Sequence, residues 1–428
     1  MSKQVTFAVI GFGIRGREAY SSFQKIHPEK MKVVAVAEPN AAKREMARKD
    51  YGVPEENIFT SAEELLAQPR LADVMIIATQ DTEHVCYAVP ALEKGYHILL
   101  EKPISPSLEE CIKLQKKAHE CNRVVVVCHV LRYTQFYQSI KKLLDEGVIG
   151  KIETVDAIEN VAYWHFAHSY VRGNWRRLDE SSPVILAKSC HDMDIIRWLI
   201  GKPCTRVTSL GSLDWFKSEN APEGSTSFCL SGCKCKDECP YDCEKIYITN
   251  ERSGLNGGND GWPLTVLTDD PTRENLYKAM KEGPYGRCVY HCDNDVADHQ
   301  TVNMEFEGGT TASFTVSAFT HDCYRYIKIM GSHGEIEGNM DENVFYIRRF
   351  GQPVEKVELD PLTDRFAGHG GGDAKMMDYI CELIGGDITG DALTSVDASV
   401  ESHVMALAAE QSRTHGGEPI VLSDFAKV

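Results

Sequence analysis

Short runs of apolar, β-branched residues alternate with longer charged segments through the first third of the chain. The runs fall at 5–10, 32–37, 72–78, 97–100 and 124–127, and segments 15–27, 40–51, 83–94 and 107–121 between them have helical character. Continuous apolar runs of this length suit strands buried on both faces, as in a parallel sheet covered by helices. Strand, helix and strand at this spacing predict repeated βαβ units.

The rhythm changes near residue 128. Strand patterns at 152–162, 205–213, 301–307, 310–319, 325–330 and 343–348 include a hairpin turning at Gly308-Gly309. Helices are expected at 187–200, ended by Gly201 and Pro203, and at 373–384 and 395–414. The reading is an α/β chain with one domain at 1–127 and a second at 128–428 built on an open, mostly antiparallel sheet. A polar, cysteine-bearing insertion interrupts the second domain at about 215–292.

Composition narrows the partners. The 428 residues carry 46 Lys and Arg against 63 Asp and Glu, a net charge of −17. So acidic a chain repels phosphate backbones and anionic lipid, which argues against nucleic acid and membrane surfaces. No stretch approaches the roughly 18 apolar residues of a spanning helix. The N-terminal apolar run passes directly into a glycine motif and reads as a strand, so a cytoplasmic location is expected. There the 15 cysteines are thiols, metal ligands or catalytic groups before they are disulfides.

The glycine motif is Gly11-Phe12-Gly13-Ile14-Arg15-Gly16, placed between a strand and a helix. Gly11 permits the tight turn, Gly13 lets backbone approach a pyrophosphate, and Gly16 allows close helix–sheet packing. Free N–H groups of Ile14, Arg15 and the helix start then face the phosphates. Glu38 ends the second strand 22 residues beyond Gly16, where a carboxylate holds an adenosine ribose and disfavours a 2′-phosphate. NAD is therefore expected over NADP, although Arg15 offers a charge that could reach a 2′-phosphate. A second motif, Glu101-Lys102-Pro103, follows the strand at 97–100. Carboxyl ends of parallel strands are where such sheets bind ligands, and a lysine there can bond a substrate hydroxyl or shuttle its proton. A solvated lysine paired with Glu101 is the alternative.

In joint order, GFGIRG, AVAEPN, IIATQDTEH, GYHILLEKP, HVLRYTQFY, CHDMDIIRWLIG and GHGGGD resemble the Gfo/Idh/MocA oxidoreductases, which act mainly on sugars, inositols and their derivatives. The resemblance implies a Rossmann domain, an open-faced α/β domain and a dinucleotide between them. It implies that Lys102 contacts the reacting hydroxyl and that His191 is the acid/base, a role suited to histidine near neutral pH. Thr79 and His84 are expected to line the nicotinamide side, and Glu101 is expected among the cofactor-binding residues. Relatives often carry an aspartate where this chain has Ala187, followed by Lys188. A Lys188 pointing into the site would be a third catalytic group, its charge lowering the pKa of a neighbouring lysine.

Residues 163–177 crowd histidines, aromatics and arginines after the first strand of the second domain. His165, His168, Arg172, Asn174 and Trp175, joined by Arg132 and Tyr133, offer aromatic faces and planar polar groups suited to a sugar. A hydrogen-bonded segment with its tryptophans in the core is the alternative. His369 of HGGGD is expected near the same cleft, or in a plain turn. Seven of the 15 cysteines lie in the insertion. Cys229, Cys233, Cys239 and Cys288 are the candidate ligands of a structural zinc, against free thiols packed under the loop.

The expected activity is NAD-dependent hydride transfer to or from a hydroxyl-bearing carbon of a sugar, inositol or glycoside. Two alternatives keep the fold: a redox-neutral glycoside-cleaving enzyme using transient oxidation, and a non-catalytic NAD or sugar sensor. The second sheet's open face is expected to be apolar and covered by another subunit in a homodimer or homotetramer.

Overall fold

The computed structural model describes residues 3–360 and 368–427. Its first sheet has six parallel strands: β1 (Val5–Ile10), β2 (Met31–Ala37), β3 (Ile58–Phe59), β4 (Val74–Ile77), β5 (His97–Leu100) and β6 (Val125–Val127). Their spatial order, β3-β2-β1-β4-β5-β6, reverses between β1 and β4, so the loops after those strands part and open a crevice at the carboxyl edge. Register places Val9 between Val36 and Ile76, and Ile77 beside Leu100. All four residues of β4 are buried, as strands covered on both faces require.

Capping explains where the covering helices start. Asn40 accepts from the N–H groups of Ala42 and Lys43 at the head of Ala41–Tyr51, and Ser107 does so for Leu108–Glu120. The helix Ile14–Ser21 has only Gly13 at its head and no capping side chain, which leaves its first N–H groups to a ligand.

The second sheet has nine strands: β7 (Ile152–Ala162), β8 (Cys204–Ser212), β9 (His299–Phe306), β10 (Thr311–Thr320), β11 (Tyr324–Gly331), β12 (Gly334–Asn339), β13 (Val344–Arg349), β14 (Glu355–Glu358) and β15 (Ile420–Val421). They run in the order β14-β13-β12-β11-β7-β10-β9-β8-β15, and every pair is antiparallel except β7 with β10. Val302, Met304, Ala312, Phe314 and Val316 point into the core. The opposite face of these central strands carries Thr301, Asn303, Glu305, Thr311, Ser313, Thr315 and Ser317. That corrects the expectation of an apolar open face: alternation puts hydroxyls and amides outside, with Ile158, Leu210 and Phe319 as scattered apolar exceptions.

The helix expected over 187–200 is two helices, Val184–Ala187 and Cys190–Ile200, separated by Lys188 and Ser189 and ended by Gly201 at φ 71°. Two late helices return to the first sheet. Met376, Met377 and Ile380 of Gly372–Gly385 share one apolar cluster with Val5, Phe7 and Val9. Val396–Thr414 packs on both Leu108–Glu120 and Cys190–Ile200, and Ser395 bridges to Val126. Among the described residues no helix is long and apolar enough to cross a membrane.

Candidate active site

The loop after β1 is shaped by its three glycines. Gly11 has φ 87°, and a Cβ there would lie 2.5 Å from the carbonyl oxygen of Ala78. A Cβ on Gly16 would lie 2.0 Å from the Gly11 carbonyl oxygen, whereas one on Gly13 would meet nothing within 4 Å. Gly11 and Gly16 thus serve close packing, and Gly13 borders open space through which a phosphate can approach backbone. Glu38 is buried at the end of β2. Its Oε2 accepts from Phe12 N–H (2.8 Å) and its Oε1 from Asn40 N–H (2.9 Å), tying the acidic residue to the glycine loop.

Arg15 has a different environment from the one expected of a 2′-phosphate ligand. Its Nε lies 2.5 Å from Glu101 Oε1, its Nη2 2.7 Å from Asp373 Oδ1 and 2.6 Å from Tyr20 Oη. Tyr20 also donates to Glu101. Burial alone would raise the Glu101 carboxyl, but Arg15 and then Lys102 hold it down at about 2. Against the same cost of burial, Arg15 and His369 hold Asp373 below the usual carboxylate range. This buried network joins the glycine loop, the end of β5 and the head of Gly372–Gly385.

Lys102 follows directly. Its Nζ donates to the backbone carbonyl of Ala187 at 2.9 Å, so the end of β5 is joined to the short helix preceding Cys190–Ile200. His191 stands in the first turn of that second helix, 4% exposed. Burial first, and then the Lys102 charge, push its imidazole well below the ordinary histidine range, so it is neutral at pH 7. Its ring packs 5.8 Å from that of His369 and 5.8 Å, edge-on, from that of His129. His129 in turn meets His403 at 5.7 Å. His403 accepts from Ile104 N–H (2.8 Å) through Nε2 and donates from Nδ1 to the Ser399 carbonyl (2.6 Å), steadying the loop just past Lys102. Among the described residues, neither nitrogen of the buried His129 nor Nδ1 of His191 has a hydrogen-bond partner. Sequence reasoning missed His129; the only signal was its place after β6 in HVLRY.

Thr79 borders the same crevice, and its buried Oγ1 has no partner among the described residues, a donor and acceptor left for a ligand. His84 is 1% exposed and lies behind this surface. Its Nδ1 donates to the Pro103 carbonyl (2.6 Å), and its Nε2 is 3.3 Å from the Thr79 carbonyl oxygen. It bridges those two loops. The open edge at Gly13, the uncapped helix head, Glu38 and the unpartnered Thr79 hydroxyl together fit a dinucleotide lying across the crevice.

Lys188 is ion-paired within the second domain. Its ammonium is 3.2 Å from Glu159 Oε1, and Arg325 binds both Glu159 (2.9 Å) and Asp192 (2.8 Å). The lysine thus shares the buried Glu159 carboxylate with Arg325. Burial and the neighbouring Glu159 push the Asp192 carboxyl up, while Arg325 opposes the shift.

Most of the expected sugar-binding set is engaged elsewhere. Arg132 makes two bonds to Asp194 (2.7 and 2.6 Å) and a third to the Leu393 carbonyl; Tyr133 bonds Thr394 (3.0 Å). His168 is buried against Tyr247 Oη (3.0 Å) and stacks on Tyr285, and burial pushes its pKa down to about 3. Arg172, 1% exposed, donates to the carbonyls of Arg287 and Tyr241 (2.7 Å each) and so anchors the insertion. Trp175 Nε1 donates to Asp81 (3.3 Å), which also accepts from Ser182 (2.6 Å) and Ser181 (3.3 Å). These side chains hold segments together, because a buried polar group must find its partner within the fold. Asn174 is exposed. His165 remains nearest the expected role: it is half-buried beside Cys323 (3.4 Å) and Trp262, and the Lys188 charge adds to burial in lowering its pKa.

The four thiols expected to hold zinc do not form a ligand set. Among the described residues the group whose donor atoms all lie within 4.8 Å of one another is Cys229, Asp242 and Cys243. Cys233, Cys239 and Cys288 fall outside that group.

Comparison with known proteins agrees with this anatomy. Residues 5–129 match the oxidoreductase family's NAD-binding Rossmann fold, and residues 141–421 match its C-terminal alpha/beta domain. The chain belongs to the Gfo/Idh/MocA oxidoreductase family. Protein YteT of Bacillus subtilis (strain 168) is 24% identical over 320 residues, 72% of this chain and 71% of YteT. The scyllo-inositol 2-dehydrogenase (NAD(+)) of the same organism is 28% identical over 50% of this chain and 59% of its own length. The 2,7-anhydro-N-acetylneuraminate hydratase of Escherichia coli (strain K12) is 27% identical over 48% and 52%. The alignments to these last two therefore span between half and three fifths of those relatives. An Agrobacterium radiobacter oxidoreductase, solved in complex with NAD+, L-tartaric acid and magnesium, superposes with a TM-score of 0.69 at 15% identity, covering 98% of this chain and 99% of its own. Its likeness establishes the shared fold, and the NAD-binding Rossmann domain follows from the family match.

Proposed function

We propose that this Gfo/Idh/MocA protein is an NAD-dependent oxidoreductase acting on a hydroxyl-bearing carbon of a sugar, inositol or glycoside. The observation carrying this reading is Lys102 at the end of β5, bonded to Ala187 four residues ahead of a buried, neutral His191. Backbone of the Gly11–Gly16 loop would hold the pyrophosphate, Glu38 the adenosine ribose, and Thr79 the nicotinamide end. Bound NAD supplies the hydride acceptor. Lys102 Nζ, already directed by one carbonyl, has two further N–H donors to orient a substrate hydroxyl. His191, kept neutral by burial, takes the hydroxyl proton as the carbinol carbon is oxidised, and returns it in the reverse direction. His165 lines the substrate side, with Lys188 held by Glu159 nearby. The inositol dehydrogenases among the relatives support a polyol or sugar substrate.

A second reading is favoured by one observation, the hydratases among those relatives: a redox-neutral reaction in which the hydride is borrowed and returned. Mixing stoichiometric protein and NAD with free sugars, inositols, sugar acids and glycosides distinguishes the two. Persistent reduced nicotinamide with one substrate class supports net dehydrogenation. Product without lasting reduction supports the redox-neutral reaction, and NAD binding with silence across the panel overturns both in favour of a sensor.

A further inference from the structure

We propose that Cys229, Asp242 and Cys243 form a binding site for one soft divalent metal ion of the zinc class within the insertion. Their donor atoms lie within 4.8 Å of one another, and all three residues are buried. The cysteines come from segments 14 residues apart in sequence, so the fold assembles this group. Thiolate and carboxylate are donors that zinc accepts in tetrahedral sites.

Local construction supports the assignment. Asp242 Oδ1 accepts from the N–H groups of Glu244 and Lys245 (3.0 and 3.2 Å), which fixes the carboxylate and leaves Oδ2 to a cation. Backbone bonds to metal-ligating carboxylates are the usual means of orienting them. The Arg172 guanidinium reaches Cys229 Sγ at 3.7 Å. A metal would take the two cysteines as thiolates, releasing their protons on binding, and with the Asp242 carboxylate and the Arg172 guanidinium they would leave two negative charges for a divalent cation to neutralise.

Cys229 and Asp242 also line a cavity of about 10 Å³, the size of a single water-sized sphere. Cys233, Cys239 and Cys288 border the same cavity but fall outside the three-residue cluster. The spacing-based set of four thiols shares only Cys229 with this core; the two partners added by the fold are the adjacent Asp242 and Cys243. A metal here would clasp the loop at Cys229 to the turn before the short helix Lys245–Thr249, where the insertion has no sheet of its own.

The test uses the full chain, purified under reducing conditions without added metal. Elemental analysis should find about one equivalent of zinc. After chelator stripping, Co²⁺ titration should give thiolate-to-cobalt charge-transfer absorbance that saturates near one equivalent. Cys243→Ser should weaken Co²⁺ binding by at least about tenfold, while Cys204→Ser, outside the cluster, leaves it unchanged. The wild-type titration stands by itself should the Cys243 variant fail to fold. Absence of both bound zinc and thiolate–cobalt absorbance overturns the site. So does mass spectrometry showing Cys229 and Cys243 joined as a disulfide in the reduced preparation.

Discussion

The Lys102 ammonium is held 2.9 Å from the backbone carbonyl of Ala187, and the side chain at position 187 takes no part in the bond. A methyl group there is consequently compatible with a well-placed lysine. The carbonyl fixes one of three ammonium protons and leaves the others for a substrate oxygen. Lys102→Met should lower kcat by about 10²–10⁴, the usual contribution of a positioned proton-transfer group, with NAD affinity retained. Steady-state rates with nicotinamide fluorescence titration check it. Lys188→Met, which removes an ammonium already paired with Glu159, should lose much less; equal losses would return Lys188 to the reacting atoms.

The pH profile carries the sign of the His191 shift. Burial and the Lys102 charge lower its pKa, so the base stays unprotonated, and active, until the pH falls well below the ordinary value near 6.5. The acid limb of kcat/KM for alcohol oxidation should therefore lie below about 6.5. In Lys102→Met the limb should move upward, because one nearby positive charge is gone. A wild-type limb centred above that ordinary value would contradict the assignment.

His129 sets stability against turnover. Leaving a buried polar group unpaired costs about 1–3 kcal/mol, and both its ring nitrogens lack partners among the described residues. His129→Phe should raise Tm by removing that burden. If the ring orients His191, the same change should lower kcat and displace the acid limb while leaving KM and NAD affinity alone. A higher Tm with an unaltered pH profile would make His129 packing only.

The Asp81 cluster gives a separate test. Asp81→Ala strands the indole N–H of Trp175 and the hydroxyls of Ser181 and Ser182, at a cost of about 1–3 kcal/mol seen in urea or thermal unfolding. Trp175→Phe should leave substrate KM unchanged, since its polar edge faces Asp81; a raised KM with intact stability would restore Trp175 to the sugar site.

Where local pattern and packing agreed, the chain could be read directly. The strands at 5–10 and 97–100 lie where their apolar runs predict, because those runs are also buried. β12 was not legible: Gly334–Asn339 reads GEIEGN, with one large apolar residue, and owes its strand to pairing with β11 and β13. Chemistry divides in the same way. The glycine loop, Glu38 and Lys102 stand at strand ends, where position follows from the element before them. The residues of 163–177 had the right types for a sugar, but their partners lie far away, Tyr247 for His168 and Arg287 for Arg172. No spacing rule anticipates those contacts, nor the pairing of Lys188 with Glu159.

The return of Gly372–Gly385 to the first sheet bears on how the protein is made. Met376, Met377 and Ile380 complete the apolar cluster around Val5, Phe7 and Val9, and Val127 N–H bonds the Thr394 carbonyl. During synthesis the nucleotide-binding strands leave the ribosome long before these partners exist, with one face still uncovered. Their final consolidation therefore waits until the segment reaching Thr394 has been made, and until then that apolar face is without its cover. The Arg15–Asp373 pair forms only when that late helix docks, so the glycine loop at the start of the chain and a helix made more than 350 residues later are consolidated together.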